Sequence, residues 1–363
     1  MEYVYSLLVL SVLGGALAAL LLIADRFLCN YGPCTIHVNE EEPFTIEGGC
    51  TLLDALYGQR IFIPSACGGQ GTCGFCKVQV HSGGGPVLPT ELPYLTPKET
   101  EDHTRLACQV KVKEDMIVHV REDYLNVQEF TAVVTDAKLV TSDTREIHLK
   151  LKEPAEIDFR PGQYVQVRVP VGKKDETMRA YSISSQPSRN NEVELLVRLI
   201  PGGLGSTYLH TIQPGDEVVF TGPYGEFVMD EDVEARVICV GGGCGMAPMR
   251  SILRHLGEVQ PDRECWLFFG ARTTKDAMYM DEFRQLEQKM PNLHVHYALS
   301  EPGDEDKAWS GETGFIHTSV DAHVPAEGKR QAFLCGPPLM IEATMKVLKD
   351  KEIPEDRVFY DEF

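Results

Sequence analysis

The stretch Ser65-Ala-Cys-Gly-Gly-Gln-Gly-Thr-Cys-Gly-Phe-Cys76 puts three cysteines into one glycine-rich loop with the spacing C-x5-C-x2-C, and a fourth, Cys108, stands alone further on. This constrains the fold strongly, because the four thiolates have a common use only if the chain brings them to one point. Three ligands in a short loop plus one distant cysteine is the arrangement that holds a [2Fe–2S] cluster, here with the first gap one residue longer than in the plant-type loop. A structural zinc site is the alternative, but zinc loops normally pair two Cys-x-x-Cys knuckles. Gly68, Gly69, Gly71 and Gly74 let the loop curl and turn amide N–H groups toward the sulfurs. Cys67, Cys73, Cys76 and Cys108 are therefore the expected metal ligands.

The chain has 363 residues and a formal net charge of −20. That length predicts several domains, and the charge excludes nucleic acid and any broad basic face for anionic lipid. Anionic cofactors must be held locally, by arginines and backbone amides. Metal-type cysteine spacing in a large acidic chain favours a reducing compartment over a disulfide framework. Val4 to Ala24 carries no charge, and Ser6 and Ser11 are its only polar residues. At about 1.5 Å rise per residue such a run is long enough for a hydrocarbon core of about 30 Å. A cleaved signal peptide would want basic residues before a shorter apolar core, whereas only Glu2 precedes this one. Residues 1–28 are expected to be a single transmembrane helix retained in membrane lipid, and Arg26 places the following bulk in the cytoplasm. Cys29 and Cys34 carry no assignment, while Cys50, Cys239 and Cys265 read as core residues.

Beyond the anchor, Thr35–Val38 and Lys77–Val80 alternate as strands around a short helix over Thr51–Leu56 with Thr51 or Cys50 near its cap. A boundary near Tyr124–Glu129 precedes β-patterned segments at Thr131–Val134, Glu146–Leu151, Tyr164–Val169, Val193–Leu199 and Glu217–Phe220, which predict an antiparallel β-barrel. After Met229 the pattern changes. Strands at Arg236–Val240 and Cys265–Phe269 alternate with helices around Ala247–Leu256 and Asp281–Lys289, the signature of a parallel α/β sheet.

Arg179-Ala-Tyr-Ser182 lies between two of the barrel segments. An arginine fork suits a flavin pyrophosphate, a tyrosine ring suits the isoalloxazine face, and the Ser182 hydroxyl suits the flavin N5. Downstream, Gly202-Gly-Leu-Gly-Ser-Thr-Tyr208 predicts a glycine turn opening a short helix whose free N–H groups, with Gly203, Ser206 and Thr207, face phosphate. A tight turn and a capped helix would use the same residues without any ligand. In the α/β part, Val237-Ile-Cys-Val-Gly-Gly-Gly-Cys-Gly-Met-Ala-Pro248 runs from buried strand through glycines into a helix, so Gly242, Gly243 and Gly245 allow a dinucleotide close approach. It is not the GxGxxG spacing of the Rossmann fingerprint. Phe333-Leu-Cys-Gly-Pro-Pro338 is a second strand ending in a turn, placing Cys335 and Gly336 at the carboxyl edge of the sheet. Arg272 and Lys275 either reach the adenosine half of the dinucleotide or stand as solvated charges, and the nearby Asp276, Asp281 and Glu282 point to NADH over a 2′-phosphate.

The phrases taken together resemble a known family. After the apolar run come SACGGxGxCGxC, SGGG, LPTEL and RLACQV, then RAYS, GPYGEF, GGGCGMAPMRS, GAR, TGFIH and CGPPLM. In this order they resemble the flavin/iron–sulfur subunit (the F-subunit) of Na+-translocating NADH:quinone oxidoreductase over essentially the full length. The last two domains resemble the ferredoxin–NADP reductase superfamily more widely. The resemblance implies a multidomain α+β and α/β chain: the anchor at 1–28, a β-grasp ferredoxin-like [2Fe–2S] domain at 34–126, an FAD-binding antiparallel barrel at 127–229 and an NADH-binding parallel α/β domain at 230–363. It implies that NADH reduces FAD, that the cluster follows, and that membrane subunits of a respiratory complex in the inner membrane carry electrons to quinone with sodium translocation. It assigns Arg179, Tyr181, Ser182 and Ser206 to FAD and Gly242, Gly243, Gly245, Cys335 and Gly336 to NADH. Phe363 falls where an aromatic can cover the flavin ring, which makes Tyr181, Ser182, Cys335 and Phe363 the candidates for the reacting centre. Between Pro170 and Arg179, and again before Gly202, the chain is shorter than members of that family. A membrane-tethered NAD(P)H reductase feeding an oxygenase would use the same path. A non-catalytic carrier or assembly subunit is the alternative of another class, and the intact RAYS and CGPP phrases argue against it.

Overall fold

The computed structural model describes residues 5, 10–20, 31–172, 175–229 and 234–362. Residues 10–20 are helical, and among the described residues no helix is long and apolar enough to cross a membrane. The expected span lies partly outside the described residues, and Arg26, Cys29 and Phe363 lie outside them entirely. The chain divides into two compact units, Met1–Asn126 and Val127–Phe363.

In the first unit, β1 (Pro33–Val38), β2 (Phe44–Glu47), β3 (Lys77–Ser82), β4 (Thr104–Leu106) and β5 (Met116–His119) form a mixed sheet in the order β2-β1-β5-β3-β4. β1 and β5 run parallel at its centre, with Ile36 opposite Met116. The helix Leu52–Gly58 starts where Thr51 Oγ1 accepts the Asp54 N–H at 3.1 Å, and it buries Leu52, Leu53, Ala55 and Leu56. A helix laid on a mixed sheet in this way is the β-grasp arrangement. Cys34 lies in β1 within this core, so it is a packing residue here and burial pushes its thiol up.

The second unit begins with β6 (Gln128–Leu139), β7 (Thr144–Glu153), β8 (Tyr164–Val171), β9 (Asp175–Ser182), β10 (Glu192–Arg198) and β11 (Glu217–Tyr224), ordered β10-β7-β6-β11-β8-β9. The antiparallel sheet closes on itself through the Ile183–Leu195 bridge and the Ser184 N–H donated to Glu194 O at 2.8 Å. The RAYS phrase, expected between strands, is the end of strand β9. Every residue from Thr177 to Ser182 is half-buried, so the strand lacks the clean alternation that would mark it in sequence. β8 and β9 pair from Tyr164–Ser182 to Val171–Asp175, so a tight hairpin fills the stretch before Arg179.

The α/β part has β12 (Arg236–Gly242), β13 (Cys265–Ala271), β14 (Leu293–Leu299), β15 (Glu312–Thr313), β16 (Arg330–Gly336) and β17 (Val358–Glu362), ordered β15-β14-β13-β12-β16-β17 with every pairing parallel. β12 is buried on both faces. Val237 and Cys239 join a core under the helices Met246–Val259 and Met280–Lys289, while Ile238 and Val240 join one under Ile316–His323 and Pro338–Asp350. The strand order reverses between β12 and β16, and the carboxyl edge at such a switch point is where open α/β sheets leave a ligand crevice.

Candidate functional site

In the first unit folding joins the four cysteines as two pairs. Cys67 and Cys73 have their sulfurs 3.3 Å apart, and so do Cys76 and Cys108. Two sulfurs per iron is the donor set that a [2Fe–2S] cluster takes. Ser65 anchors the loop by accepting the Gly69 N–H at 2.9 Å on its hydroxyl and the Gly68 N–H at 2.9 Å on its carbonyl. Gly71 and Gly74 sit at positive φ, and a Cβ would stand 2.6 Å from the Gln109 amide and 2.8 Å from the Tyr94 ring respectively, so the loop closes only with glycine there. The Cys67 thiol is drawn below its ordinary range, first by a hydrogen bond from Cys73 and then by the amides of Thr72 and Gln70, against the opposing effect of burial. Within each pair the hydrogen bond pushes the neighbouring thiol the other way, Cys73 and Cys76 being raised, as two crowded sulfurs that share one proton require.

Glu91 and Arg105 form a buried ion pair beside this site that sequence reasoning did not single out, although LPTEL and RLACQV contain them. Glu91 is fully buried; it accepts Arg105 Nη2 at 2.6 Å, the Leu106 N–H at 2.9 Å and the Leu88 N–H at 2.8 Å. Arg105 also donates to the carbonyls of Gly84, Gly85 and Pro86, which ties the segment after β3 to β4, the strand that leads to Cys108. Burial opposes ionisation of Glu91, but the Arg105 and backbone hydrogen bonds win and hold its carboxyl below the usual range. In Glu91→Gln an amide N–H would confront these donors. The expected loss is about 3–5 kcal/mol, typical of a broken buried pair. Urea unfolding together with faster loss of cluster absorbance checks it, and an unchanged unfolding midpoint would count against this role.

In the second unit the two flavin phrases come together. Gly203 is the N-cap of the helix Leu204–Thr211, and a Cβ on Gly205 would lie 2.5 Å from the Tyr181 hydroxyl and 2.9 Å from Arg179 Cγ. The helix N-terminus is thus seated on RAYS, close beside the Arg179 side chain. Arg179 also donates to Thr177 Oγ1 at 2.8 Å. Ser206 turns its hydroxyl into its own turn, accepting the Ile200 N–H at 3.1 Å, while Thr207 is exposed. Ser182 ends β9 opposite Tyr164.

The nicotinamide phrases meet at the switch point. A Cβ on Gly245 would lie 1.8 Å from Cys335 O, so only glycine lets the turn after β12 pass the end of β16. Gly336 packs on Gly242, and a Cβ there would stand 3.1 Å from Gly242 O. Gly243 is open around its Cα, and Arg272 is exposed at the same edge, 3.9 Å from Asp276. Glu282 faces inward to Arg250 and Arg254, so its carboxylate cannot read a ribose; the acidic residues left near the edge are Asp276 and Asp281. Cys335 is buried, and burial pushes its thiol up with help from Asp361 and Cys244.

Cys244 joins the two halves. Its thiol is pushed up to about 12 by burial, against the pull of Arg198 of β10. It also bears on Tyr181, whose hydroxyl is raised first by burial. One neutral thiol thus lies within electrostatic reach of the barrel tyrosine and the sheet cysteine.

The barrel and the α/β sheet are fastened by Arg250, 4% exposed, on the helix after the glycine turn. It donates to Glu194 of β10 at 2.9 Å, to Ser184 at 3.3 Å and to Glu282 at 3.0 Å, and its guanidinium lies 4.1 Å above the Tyr279 ring. Arg254 binds the same two carboxylates, Ser251 donates to Ser185 O at 2.6 Å, and the Tyr279 hydroxyl donates to Glu146 of β7.

These arrangements define an NADH-oxidising flavoprotein with a ferredoxin-type iron–sulfur module on the same chain. Comparison with known proteins agrees domain by domain. Residues 36–113 match the 2Fe-2S iron-sulfur cluster binding domain, 131–229 the oxidoreductase FAD-binding domain and 239–346 the oxidoreductase NAD-binding domain. The chain belongs to the family of F-subunits of Na(+)-translocating NADH-quinone reductase. It is 36% identical to the Neisseria gonorrhoeae protein over 405 residues, covering 100% of both chains, and 35% identical to that of Pseudomonas aeruginosa over 96% of this chain and 95% of the relative. Among solved structures, an Amycolatopsis cytochrome P450 reductase is 30% identical with a TM-score of 0.73, covering 91% of this chain and 98% of its own. The ferredoxin reductase in carbazole 1,9a-dioxygenase is 26% identical with a TM-score of 0.69, with the same coverage of both chains. The chain oxidises NADH and passes the electrons to a [2Fe–2S] cluster, with FAD between them.

Proposed function

We propose that this chain is the electron-input subunit of a sodium-translocating NADH:quinone oxidoreductase, passing electrons from its cluster to membrane partner subunits that reduce quinone. The observation that carries this reading is the 36% identity to the Neisseria gonorrhoeae relative across 100% of both chains, which includes the N-terminal apolar run. On this reading that run is a single-pass anchor in the inner membrane with the later residues in the cytoplasm, and the domains divide as 1–28, 34–126, 127–229 and 230–363.

FAD bound here would supply two-electron acceptance from NADH, and a [2Fe–2S] cluster would supply one-electron transfer onward. The protein's part is positioning. Arg179, Tyr181, Ser182, Gly203, Ser206 and Thr207 would hold FAD. Arg179 and the helix N-terminus neutralise the pyrophosphate, and Tyr181 and Ser182 fix the ring. Gly242, Gly243, Gly245, Arg272, Cys335 and Gly336 would hold the dinucleotide, the glycines by close backbone approach. Cys67, Cys73, Cys76 and Cys108 would hold the cluster. No general base is needed for the hydride step, and the burial that keeps the Cys244 and Cys335 thiols neutral keeps thiolate charge away from it.

A second reading, a membrane-tethered reductase feeding an oxygenase, is favoured by the likeness to two oxygenase-linked reductases over 91% of this chain. Purification of the tagged chain from native membranes separates the two. Co-purifying integral membrane subunits with sodium-stimulated NADH:quinone activity are expected. An oxygenase in their place would establish the second reading, and recovery of the chain in the detergent-free soluble fraction would remove the anchor.

A further inference from the structure

At the β15 edge of the parallel sheet, three chain segments bring together side chains that the redox function does not use. β14 supplies His296, β15 supplies Glu312, and the last residue of the helix Ile316–His323 supplies His323. His296 Nδ1 lies 2.8 Å from Glu312 Oε1, and His323 Nε2 lies 3.3 Å from the same oxygen. The two imidazole rings stack, with centroids 4.1 Å apart. All three ligand atoms lie within 4.8 Å of one another.

We propose that His296, Glu312 and His323 bind one zinc ion that clamps β14, β15 and the following helix together. Two imidazoles and a carboxylate form a donor set that zinc accepts, leaving a fourth position open. With zinc–ligand bonds of about 2.0–2.1 Å, donor atoms in a tetrahedral site stand about 3.3 Å apart, which the two nitrogen-to-Glu312 spacings of 2.8 and 3.3 Å bracket, and rotation of the exposed His323 ring would bring its nitrogen in from the stacked arrangement. The surroundings support the ligands. The Phe268 ring stacks on His296 with centroids 5.0 Å apart, and Trp309 Nε1 donates to the Glu312 carbonyl at 2.9 Å, fixing the backbone of β15. Ser319, one helical turn before His323, turns a buried hydroxyl toward the Glu312 carboxylate and, with His296, helps hold it below its usual range against the effect of burial. A cleft of about 200 Å³ with His296, Glu312, Arg284 and Trp309 in its wall leaves room for water or a small anion as the fourth ligand. His323 is 43% exposed and provides the entry path. β15 holds β14 by only two paired residues, so this edge gains most from a clamp.

The test uses the FAD- and cluster-loaded chain, dialysed against zinc chloride, alongside His323→Ala and Glu312→Gln. Wild type is expected to take up one zinc per chain with its iron content unchanged, and each variant to bind on the order of 100-fold more weakly. Ligand that binds only the folded state raises the unfolding temperature, so zinc is expected to shift the melting of wild type and not of the variants. NADH oxidation with ferricyanide is unchanged in the variants and reports that they are folded. Equal zinc uptake by wild type and His323→Ala overturns the proposal, and so does zinc that enters only as iron leaves.

Discussion

Cys73→Ala is expected to lose the cluster and all quinone-directed electron flow while keeping FAD and NADH oxidation by ferricyanide within about twofold. The Cys73 sulfur stands 3.3 Å from that of Cys67, so its removal leaves one iron with a single protein ligand, whereas Cys76 and Cys108 remain paired. An iron–sulfur cluster needs all four thiolates. The flavin phrases lie in the other compact unit, so the substitution leaves the contacts within the barrel and the nucleotide sheet in place. Ferricyanide takes electrons upstream of the cluster, and the two assays divide the relay at that point. Loss of both activities in a folded, FAD-loaded variant would sink the order NADH, FAD, cluster.

Arg250→Met is expected to cost about 3–5 kcal/mol, because it leaves buried carboxylates without their cation. Glu194 and Glu146 are almost wholly buried; without Arg250, Arg254 would have to serve Glu282 and the Glu194 oxygen that both arginines now share, with Arg189 3.6 Å from the other Glu194 oxygen and Lys138 3.3 Å from Glu146. For Glu282, burial opposes ionisation, and hydrogen bonds and charge from Arg250, with Arg254, overcome it and hold the carboxyl below its usual range. Arg250 also joins the barrel to the helix that follows the glycine turn. Slower flavin reduction is therefore expected along with the lower stability. Denaturant unfolding and stopped-flow flavin reduction are the measurements. The triple variant Arg250→Met, Glu194→Gln, Glu282→Gln is expected to regain part of the lost stability, since neutral partners are cheaper to bury than unpaired charges. A single variant within about 1 kcal/mol of wild type would show that the network is not coupled as its geometry suggests.

Legibility in the sequence followed the range of the interaction. Thr51 capping its helix, the run from Arg236 into glycine and helix, and the cysteine loop are local, and their residue types carry the signal over a few positions. Strand β9 left little trace because its residues are half-buried on both sides of the pleat. Glu282 counted in sequence among the acids that point to NADH, since nothing near it in the chain announces Arg250.

By itself the sequence determined the four cysteines, the glycines that let backbones pass closely, and the succession of a barrel and a parallel sheet. Those depend on residue type and local periodicity, which the chain displays without folding. Only the tertiary structure decided that Cys67 pairs with Cys73 and Cys76 with Cys108, and that Glu91 takes Arg105. It also decided that Arg250 gathers Glu194 and Glu282, and that His296, Glu312 and His323 converge. Each of these is a polar group that burial forces to find a partner. Which partner it finds is set by strands and helices that meet only when the sheet and barrel close.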